Sequence, residues 1–138
     1  MKRYRIIEHT ADLGLEIFGN SPDELFANAA FAVFDLMADL APVRTDQERT
    51  ITVDGADWED LLVNYLREIL YMFNGEGLLL TEFVIREIGP RHLSGVVRGE
   101  PFDIRKHTVK KEIKAVTYHG VTVEELREGW RGKVIFDV

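Results

Sequence analysis

Ser21-Pro22-Asp23-Glu24 is the strongest start signal in the chain, and the helix it opens leaves few folds available. Ser21 supplies the hydroxyl of an N-cap, Pro22 suits the first helical position, and Glu24 completes a capping box. Leu25, Phe26, Ala29, Ala30, Val33, Phe34 and Met37 then recur at helical spacing, and Pro42 is expected to end the run. A helix apolar over so wide a face has to be covered, and a sheet is the simplest cover. A second helix comes next in the chain. Asp57 caps it, Leu61, Leu62, Tyr65, Leu66, Ile69, Leu70 and Phe73 form its stripe, and Asn74-Gly75 stops it.

The remaining chain reads as strands. Residues 4–9 and 13–19 alternate with period two and carry Ile, Phe and Tyr, and 48–54 has a polar face. Residues 79–88 and 92–99 pair across a Gly89-Pro90 turn. Beyond Pro101, residues 110–119 form a charged strand, and 121–127 with 131–138 form a hairpin around Glu128-Gly129-Trp130. The order β-β-α-β-α-β-β-β-β-β puts helices early and strands late, which favours α+β over alternating α/β. The expected architecture is two helices packed on one face of a mostly antiparallel sheet, a two-layer single domain over residues 1–138. A chain of 138 residues is long enough to bury roughly two-thirds of its unfolded surface.

Composition narrows the chemistry. No cysteine is present, which excludes disulfides, thiolate metal sites and cysteine nucleophiles and fits a reducing cytoplasm. No apolar run approaches the ~20 residues of a membrane span, and the basic start Met1-Lys2-Arg3-Tyr4-Arg5 lacks the apolar segment of a signal peptide. A net charge of −7 argues against phosphate-driven binding of nucleic acid over a broad face. It does not exclude assistance to an enzyme that handles RNA.

The densest polar stretch is Glu8-His9-Thr10-Ala11-Asp12-Leu13-Gly14, between two apolar runs. Its side chains exceed what a hairpin turn requires. Its counterpart is the end of the sequence, Val134-Ile135-Phe136-Asp137-Val138. Asp12 and Asp137 each flank an apolar strand, so both carboxylates emerge where a strand runs out. If the two ends meet, Asp12, Asp137 and the carboxylate of Val138 offer hard oxygen donors to Ca²⁺ or Mg²⁺. The competing reading makes Asp12 a turn residue and Asp137 a frayed terminal one. Glu8 and His9, adjacent on a strand, point to opposite faces and cannot cooperate without a bend, which favours a structural His9. His107 and His119 pose the same question. Arg105-Lys106, Lys110-Lys111 and Lys114 are the one basic concentration, read either as a docking patch or as an edge strand kept soluble by lysines, with the second favoured. Asn74-Gly75-Glu76-Gly77 is too short for a phosphate loop and comes after a helix, and no serine sits in a G-x-S-x-G context.

Three stretches in this order, residues 8–14, Lys114-Ala115-Val116-Thr117-Tyr118-His119 and 134–138, resemble the archease family, and the resemblance runs over essentially the whole chain. It implies a compact α+β protein that is not itself an enzyme but activates an RtcB-type tRNA-splicing RNA ligase. In that family the accessory protein promotes guanylylation of the ligase, allows multiple turnover and broadens its nucleotide specificity. The resemblance further implies a metal site, usually assigned to Ca²⁺, at Asp12, Asp137 and Val138, with Mg²⁺ or Mn²⁺ as alternatives. His9, Lys114 and His119 become candidates for contacts with the partner. Two other classes compete: a general chaperone or modulator of nucleic-acid-processing enzymes, and a metal-dependent hydrolase using the two aspartates and a histidine.

Overall fold

A computed structural model describes residues 3–8 and 12–138. Among them the order is β1 (Tyr4–Glu8), β2 (Leu13–Gly19), α1 (Pro22–Met37), β3 (Gln47–Asp54), α2 (Trp58–Asn74), β4 (Leu78–Gly89), β5 (His92–Pro101), β6 (Ala115–Leu126) and β7 (Gly129–Asp137). The α+β class expected from the sequence holds. The strands divide into two sheets, ordered β1-β2-β7-β6 and β3-β5-β4, and every ladder is antiparallel.

α1 begins as its sequence requires: Ser21 is extended, its Oγ accepts from the Glu24 N–H at 3.4 Å, and Pro22 opens the helix. Leu25, Phe26, Ala29, Ala30, Ala32, Val33, Phe34 and Met37 are all buried, so little of the helix is left bare. Both sheets are needed to cover it: α1 packs on β2 of one and β4 of the other. Each large aliphatic or aromatic side chain so buried stabilises by roughly 1.5–3 kcal/mol. Asp57 caps α2 through its Oδ1, which accepts from the Asp60 N–H at 2.8 Å. α2 packs on β6, β4 and β3. Phe26 touches Tyr65 and Phe34 touches Phe83, with ring centroids 5.6 Å and 5.7 Å apart, so the aromatics knit helix to helix and helix to sheet. Leu15, Ile17, Val134 and Phe136 from one sheet and Ile51, Leu79, Leu80, Leu93 and Val97 from the other belong to a single core.

Three elements depart from expectation. α1 stops at Met37 rather than at Pro42, because Ala38 is extended and bridges to Val109, while the Asp39 N–H donates to the Thr108 carbonyl at 3.1 Å. A tertiary pairing outcompetes one more helical turn. Residues 110–114 are not strand: the Lys110 N–H donates to the Met37 carbonyl at 2.7 Å, and Asn74 Nδ2 donates to the Ile113 carbonyl at 3.1 Å. That segment is consumed in tying the ends of both helices. The strand expected at 121–127 is instead continuous with residues 115–119 as β6, broken by a register shift between Thr117 and Thr122 where Gly120 takes φ +66°. A bulge, rather than a turn, absorbs the extra residues.

In the three-stranded sheet, β4 carries register shifts at Leu80/Glu82 and Ile85/Glu87. They bring its backbone onto β5, where a Cβ on Gly99 would lie 1.9 Å from the Leu79 carbonyl oxygen. Only glycine fits that approach.

Candidate functional site at the strand ends

All four strands of the larger sheet terminate together at one end. There β1 leaves at Glu8, β2 enters at Leu13, β7 leaves at Asp137 and β6 enters at Ala115. The register pairs Leu13 with Phe136 and Ala115 with Asp137. Asp12 and Asp137 are therefore the next residues outward on adjoining strands, one step past the Leu13–Phe136 pair. Cross-strand neighbours in such a ladder lie ~4.5–5.5 Å apart.

Burial explains why the acids finish here. Leu13, Leu15 and Ile17 on β2, and Val134 and Phe136 on β7, are buried at alternate positions. That period fixes the register, because a slip of one residue would turn the apolar set to solvent. Once Phe136 is fixed inward, Asp137 is directed outward, and it is exposed. Its main-chain carbonyl accepts from the Lys114 N–H at 2.8 Å, which anchors Lys114 beside it. Val138 is also exposed.

Asp12 lies one residue before β2 and Asp137 is the last residue of β7, so the two carboxylates leave the sheet at the same end. Their oxygens, with main-chain oxygens of Val138, suit a hard cation and not a soft one. Among the described residues, no group of three or more His, Asp or Glu side chains is gathered as a metal site.

The other sequence candidates separate. Lys114 belongs to this end. His119 lies in the β6 bulge and lines a cleft of ≈ 240 Å³ with Ile7, Gly14, Lys133 and Ile135, and Gly14 pairs with Ile135 one step inward from the Leu13–Phe136 pair. His9 falls outside the described residues. His107 is buried away from the strand ends, where its Nδ1 accepts from the Asp103 N–H at 2.9 Å. That contact places its proton on Nε2, which donates to Glu100 at 3.0 Å. Glu100 also accepts from Lys106 Nζ at 2.9 Å and from the Arg44 N–H at 2.8 Å. Lys106 first, then the Arg44 amide and His107, hold the Glu100 carboxyl down to about 2.

A cleft of ≈ 270 Å³ next to Lys114 includes Arg67, Tyr71 and Asn74 of α2, which the sequence did not single out. Tyr71 is 58% exposed, and its ring occupies the space where a Cβ on Gly75 would lie. The guanidinium of Arg67 sits 4.7 Å over the Tyr118 ring, and Tyr118 donates to Asp60 at 2.7 Å. That bond pushes the Tyr118 hydroxyl up and draws the Asp60 carboxyl down. An exposed tyrosine on the polar side of a helix, one turn from an arginine, was the only sequence signal for this cleft.

Residues 4–138 match the profile of the Archease protein family (MTH1598/TM1083). The chain is similar to Protein archease of Pyrococcus furiosus, 36% identical over 142 residues and covering 100% of both chains. It is also similar to Protein archease of Methanopyrus kandleri, 36% identical with 96% of each chain covered. Among solved structures it resembles the solution structure of Methanobacterium thermoautotrophicum protein 1598, with a TM-score of 0.85, 29% identity and complete coverage of both chains.

Proposed function

The chain belongs to the archease family, whose members are accessory proteins of RNA processing, and from that premise we propose that it activates an RtcB-type tRNA-splicing RNA ligase. In this reading it promotes guanylylation of the ligase and so sustains turnover, without catalysing a reaction of its own. The observation that supports the proposal is the Leu13–Phe136 pair, past which Asp12 and Asp137 are the next residues on adjoining strands.

Asp12, Asp137 and Val138 would hold a hard cation, Ca²⁺ first and Mg²⁺ or Mn²⁺ as alternatives. Bound there, such an ion supplies positive charge to phosphate oxygens as negative charge builds during nucleotidyl transfer. The chain's own part is to fix the carboxylates on two hydrogen-bonded strands, so that little reorganisation is needed when the ligase docks. Lys114, anchored by its amide to Asp137, places an ammonium group within reach of the same phosphates as a point charge. Neither helix is long and apolar enough to cross a membrane.

The test is a guanylylation assay of purified ligase with and without this protein, repeated after chelation and after Ca²⁺, Mg²⁺ or Mn²⁺ is restored. Faster guanylylation that chelation reverses is the expected result. A ligase guanylylated at the same rate with or without the protein would sink the proposal.

A further inference from the structure

The basic residues of the last third do not form the lysine-guarded edge strand that the sequence favoured. Arg105, Lys106, Lys110 and Lys111 sit on an irregular loop, residues 102–111, whose shape is fixed at nearly every step, and Lys114 follows just before β6. The Lys106 and His107 N–H groups both donate to the Asp103 carbonyl, at 2.9 Å and 2.8 Å, which closes a tight turn. Asp103 Oδ1 accepts from the Arg105 N–H at 2.9 Å, and the Asp103 N–H donates to His107. The Phe102 ring stacks on His107 and meets Phe73 edge-on at 5.8 Å. Farther along, Val109 bridges to Ala38 and Lys110 is tied to Met37.

At the tip of this fastened turn stands Ile104, 82% exposed, with Val109 47% exposed behind it. A single exposed isoleucine is ordinary on a protein surface. A hydrogen-bonded turn that presents one, on a loop where Arg105 pairs with Asp103 and Lys106 with Glu100 while Lys110 and Lys111 stay exposed, on a protein of net charge −7, is a different object. Ordering costs that usually oppose association are already met within the fold, because the loop backbone is fixed before any partner arrives. Lys110 and Lys111 are both exposed, so their charge is available to a partner.

We propose that residues 102–111 form a docking knob, with Ile104 as its apolar anchor and Lys110 and Lys111 as its electrostatic guide. The occupant is an acidic face of the ligase with a recess of aliphatic size; the inference rests on the proposed ligase function. A protein surface is favoured over RNA because the tip is aliphatic, whereas unpaired bases are held by stacking on aromatic side chains or on the planes of arginines. The aromatic side chains of the loop, Phe102 and His107, are engaged with each other, and the guanidinium of Arg105 is held by Asp103 at 3.3 Å. The knob also adds what the acidic sheet end lacks, a cationic surface that draws an acidic partner in and sets its orientation.

The experiment measures binding of the full chain to purified ligase by calorimetry, beside the guanylylation assay. I104D is expected to weaken binding at least about tenfold, equivalent to ~1.4 kcal/mol. Ile104 faces solvent, so the unfolding midpoint should stay at the wild-type value. The second variant, Lys110→Glu with Lys111→Glu, should slow association and flatten its dependence on salt. If wild type stimulates the ligase and both variants bind and stimulate equally well, the knob is overturned while the ligase reading stands. If I104D binds the ligase normally but loses affinity for RNA, the partner is RNA and the proposal is likewise overturned. If wild type neither binds nor stimulates, the reading beneath the proposal fails with it.

Discussion

Two polar centres of this molecule use the same residue types to opposite ends. Around Glu100, a carboxylate accepts from Lys106, His107 and the Arg44 amide, and both Glu100 and His107 are buried. At the end of the larger sheet, Asp12 and Asp137 are set at facing positions by strand register, and Asp137 is exposed. The first centre is closed inside the fold and serves to hold a loop. The second lies at the surface, where Asp137 is exposed and the oxygens of both acids are of the kind that hard cations prefer. The contrast is one of burial and of hydrogen-bond donors, not of side-chain type.

Replacing Asp137 or Asp12 with Ala should break the comparison most sharply. Stimulation of the ligase should fall to the level of ligase alone in either variant, while the folding stability of Asp137→Ala, at an exposed position, stays within about 0.5 kcal/mol of wild type. Parallel guanylylation assays and urea titrations would read both quantities. A large loss of stability would make the acids structural and erase the distinction. His107→Ala should do the reverse. It strands the Asp103 N–H and takes one of its donors from Glu100, at a cost of about 1–3 kcal/mol in a chemical denaturation experiment. Stimulation at saturating concentration should survive, with a higher concentration needed for half the effect because the Ile104 turn is loosened.

How much of this contrast could be read from the sequence depends on the range of the interactions that create it. Ser21, Asp57 and the apolar stripes announced both helices because capping and 3.6-residue periodicity are local. The hairpin of β4 and β5 was legible for the same reason, through Gly89-Pro90. The division into two sheets was not, since alternation states which face is buried and says nothing about which strands pair. Residues 110–114 looked like a strand by composition, yet their backbone groups are spent on Met37 and Asn74, partners far away in sequence. His107 and His119 were equivalent as letters. Only the Asp103 amide on Nδ1 and the bulge at Gly120 assign one to the interior and the other to a cleft. For the candidate site, the meeting of the two chain ends was proposed from flanking apolar runs, whereas Tyr71 and Arg67 beside Lys114 had no periodic signal to mark them.

The closed centre predicts an acid limb. Glu100 is lowered from an ordinary 4.5 to about 2, chiefly by Lys106. A carboxyl depressed in the folded state contributes stability that is fully present above its unfolded value and is lost as pH falls through the folded one. Between pH 7 and 5 the contribution should be flat; from about pH 4.5 down to 2 it should decline. Glu100→Gln should lower stability at neutral pH and remove that part of the slope, which denaturant midpoints across the range would record. An acid limb of equal steepness in the variant would move the effect to other carboxylates and weaken the claim that this centre is closed.

The smallest effect concerns the open centre, and it can be read without any ligase. An ion shared by Asp12 and Asp137 binds the folded chain only, since the unfolded chain does not hold these residues adjacent. It should therefore stabilise by RT ln(1 + [L]/Kd). With few protein ligands, the affinity belongs with weak oxygen sites, Kd of about 0.1–1 mM, so about 1 mM Ca²⁺ should add about 0.4–1.4 kcal/mol. That corresponds to a rise of only a few degrees in Tm. The rise should vanish in Asp137→Ala and persist in Glu100→Gln. A shift that survived loss of Asp137 would place the ion elsewhere on an acidic surface, and the strand end would then have to recruit its positive charge from the partner.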